Sequence, residues 1–347
     1  MKMSKLNVRL VAKVIIPAII IWGLFPSLLP GQGVATRTVR EQMQAGETGS
    51  SGGGAPPGPF GDHWVHFQNN AEVDSYDSRI GDYSESKSCD ANAGCNVNPN
   101  DTAGGISLDN NAEVCGDVSV TTSEEEGDIT LRNNSVVTGS LNYSCAEWVL
   151  LPISSPGWYT EAGGGPNGQI DGDYGSKPGK YEIENNNFHA NNNAVVTFHA
   201  GEYHFDNFEL SNNVDFQIDP EIGEDETVEI YIENGIIFEN NSEFIPPIEF
   251  SDDTTKLRIY FDGTSTVDLS NNVEFYGFIY APNAMIEVRN NDKIYGNLVG
   301  DEVYIWNNAA VHFDKALGDE DFGNIFTGGV PAQPHQREDW KEIIKSE

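Results

Sequence analysis

The sequence predicts an all-β chain built as a single-stranded parallel β-helix, a β-solenoid with Asn-rich turns and loop excursions. Three observations carry that expectation. A seven-residue pattern, in which apolar residues flank x-Asn-Asn-x-x, occurs nine times between Phe67 and Val311. Strand-period alternation surrounds the copies, so that Val273, Phe275, Gly277 and Ile279 share one face, and Val303 and Ile305 share another. No long stretch carries the 3.6-residue period of an amphipathic helix.

The copies open at Phe67, Leu108, Leu131, Ala190, Leu210, Phe238, Leu269, Val288 and Ile305 and close six residues later. Asparagine tolerates left-handed backbone angles better than other residues that carry a β-carbon, which suits a sharp corner between short strands. Its carboxamide also stacks. Where coils lie about 4.8 Å apart, equivalent asparagines can hydrogen-bond into a ladder. Loop asparagines in an Asn-rich protein would not keep both apolar flanks in register. Copies at Leu269, Val288 and Ile305 are spaced by 19 and 17 residues, while earlier gaps are longer and hold insertions.

Four segments follow in order along the chain. Residues 1–35 read as a signal peptide or N-terminal membrane anchor: Lys2, Lys5, Arg9 and Lys13 precede an uncharged run over residues 14–29, and Gly33 and Ala35 offer a small-x-small cleavage site. Pro17 and Pro26 weaken a helix in that run, and Lys13 can snorkel, so secretion and anchoring both stay open. Residues 36–62 form a flexible Gly/Pro/Ser linker, densest over residues 44–59. Residues 63–317 are expected as the parallel β-helix domain, interrupted by a cysteine-containing loop before Ile106 and by a surface excursion over residues 152–180. Residues 318–347 form a C-terminal tail or cap, needed because an open terminal coil exposes a strand edge.

The formal charge of the 347 residues is −35, and outside the leader 15 basic residues face 54 acidic ones. That excludes nucleic acid as a partner, since binding it requires a surface that neutralises phosphates. Export agrees with the four cysteines, whose spacing fits no zinc pattern. The economical pairing is Cys89 with Cys95 and Cys115 with Cys145, among three connectivities, with free buried thiols as the alternative.

Chemistry-bearing residues are sparse. The adjacent acids Asp252 and Asp253 open a turn, and Arg258 and Arg289 are isolated bases, which gives little support to a polysaccharide hydrolase or lyase. Asp171 and Asp173 with Asn167, and Glu221, Glu224, Asp225 and Glu226, are oxygen-rich loops that lack EF-hand spacing. His189, His199 and His204 are expected as ordinary strand residues rather than zinc ligands. No catalytic, cofactor or metal residue is assigned. Tyr276, Phe278, Tyr280, Tyr295, Tyr304 and Trp306 form either an outward aromatic stripe or a face buried under an excursion.

The run over residues 275–317 contains GFIYAPNA (277–284), IYG (294–296) and HFDKAL (312–317). It resembles the uncharacterised β-solenoid domain of bacterial pilus-assembly and minor-pilin-like surface proteins, and VDSYDS at residues 73–78 looks like that family's opening. The N-terminus departs from the family in lacking the pilin processing signature. A weaker likeness to ice-binding adhesin solenoids lacks their threonine rows. The resemblance implies an exported structural or adhesive cell-surface protein that can associate with a type IV pilus-like appendage, with cell-envelope or pilus proteins or surface carbohydrate as partners, the N-terminal segment in the membrane, and no catalytic residues. A carbohydrate-active β-helix enzyme and a calcium-dependent surface binder are the rival functions.

Overall fold

The structure, a computed structural model, describes residues 56–97, 104–121, 128–143, 145–153, 169–173, 175, 177–247, 252–320, 322 and 325–328. The expected leader and its cleavage site, Asn167 and most of the 152–180 excursion lie outside the described residues. Among the described residues the fold is all-β, with one four-residue α-helix at Tyr83–Ser86. One hydrogen-bonded system contains 22 strands.

The strands fall into three parallel columns, defined by their position around the Asn-Asn corner. A leading column holds residues just before the corner, from 187–190 through 207–210, 267–269 and 302–305 to 64–67, 105–108 and 129–131. A trailing column holds those just after it, from Val195–Phe198 through Asp215–Ile218 and Ala310–Asp314 to Glu72–Tyr76 and Val136–Val137. The third column runs from 201–205 through Leu257–Phe261 and 297–300 to 60–61, Ala91–Cys95, Gly116–Val120 and Leu141–Asn142.

At the corners the asparagines do what their chemistry allows. In six copies both have positive φ, for example 53° at Asn69 and 64° at Asn70; in the copies at 192–193, 212–213 and 240–241 only the second does. Each carboxamide nitrogen donates to the carboxamide oxygen of the next layer. The first ladder runs Asn133, Asn110, Asn69, Asn307, Asn290, Asn271, Asn240, Asn212, Asn192, at 2.6–3.3 Å apart from the shorter Asn290–Asn271 bond. The second, from Asn134 to Asn193, runs beside it at 2.8–3.4 Å. All nine motif copies are therefore equivalent corners. Where the trailing column turns into the third, Gly296 has φ 127° and a Cβ there would lie 1.9 Å from the Gly277 carbonyl oxygen, so layers can approach only over glycine.

The order of layers is not the order of the chain. Continuous winding in chain order would seat residues 181–198 on residues 128–142. Instead the N-terminal layer is sandwiched between the C-terminal layer and residues 91–114: Val65 faces Val303 on one side and Ile106 on the other, and Val73 faces Val311 and Val114. Asn69 and Asn307 hydrogen-bond although 238 residues apart. The stack thus reads 187 to 314 and then 60 to 142. Eight intervals at the strand spacing of about 4.8 Å make the stack about 38 Å tall.

The interior is mainly apolar, with buried polar groups such as Asp74, Ser242 and Asp292 held by hydrogen bonds. Phe198, Phe216, Phe244 and Phe275 stack along one half at centroid distances of 4.6, 5.0 and 4.8 Å, while Val65, Val73, Ile106, Val114 and Val118 fill the other and are fully buried. Burial of this kind contributes about 25 cal/mol per Å² of apolar surface.

Two expectations need correction, and the C-terminal tail or cap lies largely outside the described residues. The first strand, Phe60–Phe67, begins inside the stretch expected as linker, and Pro57 and Pro59 already accept hydrogen bonds from Asn92 and Gly94. The described part of the tail does not close an end: Phe326–Gly328 pairs antiparallel with Trp148–Leu150, and Tyr280 Oη donates to the carbonyls of Leu151 and Ile325, over the third column. The disulfide joins Cys89 to Cys115, with Cα atoms 4.5 Å apart, while Cys95 and Cys145 are free thiols. The reason is that residues 91–95 are a strand and not a loop. Ala91 faces Gly116, which brings Cys89 and Cys115 to one corner, and Cys95 faces Val120 and is buried.

Candidate functional site: the seam between the two halves

Where the N-terminal layer meets the C-terminal one, polar groups concentrate. Asp74, in Glu72–Tyr76, is fully buried and accepts from His312 Nδ1 at 2.7 Å, from Lys87 Nζ at 2.6 Å and from Tyr83 Oη at 2.6 Å. Burial opposes its charge, but the bonds from His312, Lys87 and Tyr83 outweigh it and hold the carboxyl below its ordinary value. The short helix Tyr83–Ser86 brings Tyr83 over this cluster, packed against the rings of Tyr76, Tyr295 and His312. Tyr83 N also donates to Asp252 Oδ2, and Tyr76 Oη donates to the Asp252 carbonyl. Asp314 completes the tie by accepting from Ser78 N, Thr254 Oγ1 and Ala316 N at 2.9–3.1 Å.

Asp74 is 0% exposed and His312 5%. No substrate reaches a pair so enclosed, and both Asp74 oxygens and His312 Nδ1 are spent on protein. Its chemistry is that of a clasp between residues 238 apart.

A second cluster lies on the same seam. The pairing of residues 60–67 with the C-terminal layer slips between Gly61 and Trp64, so Asp62 and His63 together oppose Asp301. His63 Nδ1 lies 2.5 Å from Asp301 Oδ1, and buried Asn96 donates to Asp62 Oδ1 at 2.7 Å while bonding the Trp148 backbone. Among the described residues, Asp62, His63 and Asp301 form a group close enough to share a cation.

The residues singled out from sequence are dispersed. Asp253 caps a single turn by accepting from Thr255 N, and Asp252 takes a positive φ of 64° to serve the clasp. Arg258 pairs with Glu320 at 2.7 Å and Glu229 at 3.7 Å, and Arg289 with Glu287 and with Asp268 at 3.4 Å. In the 221–226 loop the positive charge is supplied by the protein: buried Lys256 donates to the carbonyls of Gly223, Glu224 and Glu226. Asp171 bonds His199 Nε2 at 2.9 Å, His199 Nδ1 bonds Asp219 at 2.6 Å, and Asp173 lies 3.8 Å from Lys180. His189, on the leading column, bonds Ser211, and His204, on the third, stacks on Tyr231. The three histidines do not converge.

For the aromatic residues the covering excursion decides. Phe278 and Tyr280 are buried beneath Phe322 and the Trp148–Leu150 strand, and Tyr276 and Tyr295 stack beneath the seam helix. Tyr304 and Trp306 remain half-buried on the leading column, stacked with His66 at 5.4 and 5.5 Å. The clasp itself was missed from sequence. Its signal lay in VDSYDS and HFDKAL, which supply Asp74 and His312.

A family described as a domain of unknown function, DUF7305, matches residues 217–320. No curated protein matches the chain. Among solved structures, the competence-associated pilin ComZ from Thermus thermophilus is similar at 12% identity, covering 80% of this chain and 74% of that one, with a TM-score of 0.38. An ice-binding protein from the Antarctic ascomycete Antarctomyces psychrotrophicus is similar at 12% identity over 72% of this chain and 94% of that one, TM-score 0.31. The DUF3494 domain of Shewanella frigidimarina ice-binding protein 1 is similar at 10% identity over 75% and 94%, TM-score 0.32.

Proposed function

We propose that the three-column stack is a parallel β-solenoid and that the chain is an exported structural or adhesive module of the cell envelope, displayed beyond the cytoplasmic membrane. The observation that carries this reading is the buried clasp. The two sequence elements that resemble pilus-assembly and minor-pilin-like proteins, VDSYDS and HFDKAL, supply Asp74 and His312, which bond each other at 2.7 Å. The residues that carry the resemblance thus include the joint of a scaffold. Acidic and basic candidates for carbohydrate chemistry are engaged in caps and ion pairs, which favours a scaffold over an enzyme. The extreme negative charge keeps such a scaffold soluble and attracts cations at the cell surface.

The test is labelling of intact producing cells with an antibody against residues of the stack, combined with fractionation and N-terminal sequencing. Surface labelling is expected, with an N-terminus at or upstream of residue 36 depending on cleavage. Confinement of the protein to the cytoplasm would end the proposal.

A further inference from the structure

The seam carries a second cluster whose chemistry the clasp does not use. It sits at the corner where the third column turns into the leading one. The C-terminal layer passes this corner with one residue, Asp301, between Gly300 and Glu302, whereas the N-terminal layer passes it with two, Asp62 and His63, between Gly61 and Trp64. A bulge of this kind re-aims side chains, and here it gathers two carboxylates and an imidazole from both sides of the seam. Their ligand atoms, one from each residue, all lie within 4.8 Å of one another. His63 Nδ1 meets Asp301 Oδ1 at 2.5 Å, and the two side chains are 39% and 34% exposed.

Two observations point to a cation here. The first is charge. Elsewhere the protein answers crowded acids with its own bases, as Arg258 does for Glu229 and Glu320, Arg289 for Asp268 and Glu287, and Lys87 for Glu72 and Asp74. Among the described residues no lysine or arginine pairs with Asp62 or Asp301, and two carboxylates this close repel unless a positive charge lies between them. The second is support. Asn96, 6% exposed, donates Nδ2 to Asp62 Oδ1 at 2.7 Å while both ends of its amide bond the Trp148 backbone. A buried amide thus orients Asp62 as outer residues orient a metal ligand.

We propose that Asp62, His63 and Asp301 hold one first-row transition-metal dication, such as Mn²⁺ or Zn²⁺, across the seam. One imidazole nitrogen with two carboxylate oxygens suits such ions, whereas Ca²⁺ takes about six to eight oxygens. A dication with bonds of about 2.0–2.2 Å spaces its ligand atoms about 3–4.4 Å apart, which small turns of half-exposed side chains provide. The ion asks only Nδ1 of the imidazole and leaves Nε2 to hydrogen bonding, as is usual for a bound histidine. Water completes its shell from the exposed side. Because its ligands come from both layers, the ion bridges His63 and Asp301, 238 residues apart, and binds the closed seam better than an opened one. The inference rests on the layer order and not on where the protein is displayed.

Isothermal titration and thermal unfolding of the full chain, stripped with EDTA, test it with Zn²⁺ as the probe and Ca²⁺ as the comparison. The expected result is one saturable Zn²⁺ site with a Kd of about 10 μM or below, a melting temperature that rises as the site fills, and Ca²⁺ weaker by about 10-fold or more. Asp301→Asn and His63→Gln keep polarity and approximate size and should each weaken Zn²⁺ binding by about 10-fold or more. Glu221→Gln, which removes an exposed charge elsewhere, should leave it unchanged. A readout on the unaltered chain does not depend on how the variants fold: the electron spin echo of bound Mn²⁺ should show a directly bonded nitrogen and vanish when Zn²⁺, the stronger binder, displaces it. No saturable Zn²⁺ site, binding indifferent to both seam substitutions, or a Mn²⁺ spectrum without nitrogen would overturn the proposal.

Discussion

At the scale of single residues, the corner asparagines answer two demands at once, and the two can be separated. Asn307 has φ 50° and its carboxamide links Asn69 to Asn290. Replacing it with glycine keeps the left-handed backbone and removes the ladder, at an expected cost of about 1 kcal/mol. Alanine also pays for the backbone angle, so Asn307→Ala should cost about 2–3 kcal/mol by denaturant unfolding. Equal losses would show that the angle is not what asparagine supplies. Asp292 presents the opposite case: it is fully buried at a corner, and burial raises its carboxyl to about 7. A carboxyl that holds its proton more tightly when folded contributes stability that is complete below the ordinary value of 3.8 and is lost as pH rises through about 7. Ser242 occupies the same motif position in another copy. Asp292→Ser should therefore flatten the fall in stability between about pH 4 and about pH 7, checked by melting temperature across that range.

At the scale of elements, the seam depends on groups that titrate the other way. Asp74 is held below 3.8 in the folded protein, so its contribution is present above that value and disappears as pH falls through the lower folded one. Asp74→Ala leaves His312 and Lys87 without their buried acceptor and should cost about 3–5 kcal/mol near neutral pH, with the acid limb of unfolding reduced in the variant. A loss under about 1 kcal/mol would contradict the clasp. The cysteines offer a second test. Intact mass after denaturation and alkylation without reduction should show two labels, on Cys95 and Cys145, and four after reduction. In the native protein Cys95 should resist labelling, because burial raises its thiol pKa and blocks access.

At the scale of the whole molecule, the sequence made the strands, the corners and their equivalence legible, because apolar period and paired asparagines are local signals. Layer order was not legible. Val65 meets Val303 and Ile106 with the same kind of surface that any neighbouring layer would offer, so local pattern cannot say which layer seats on which. The clasp was hidden for the same reason: Asp74 and His312 each look like ordinary strand residues until a contact across 238 positions joins them. The disulfide was misassigned because a strand of small residues, Ala91–Cys95, reads as a loop. Lys256 in its cage of carbonyls could not be foreseen, since backbone oxygens leave no mark in the sequence.

The central claim is that the N-terminal layers sit on the C-terminal one, and paired cysteines test it directly in a background with Cys95 and Cys145 changed to serine. Glu72 and Ala310 are in register on the trailing column, whereas chain-order winding would instead pair Val136 with Val195. Oxidation should link a Glu72→Cys, Ala310→Cys protein and leave a Val136→Cys, Val195→Cys protein unlinked, read by peptide mass mapping. A bond between 136 and 195, with none between 72 and 310, would contradict the layer order and with it the clasp.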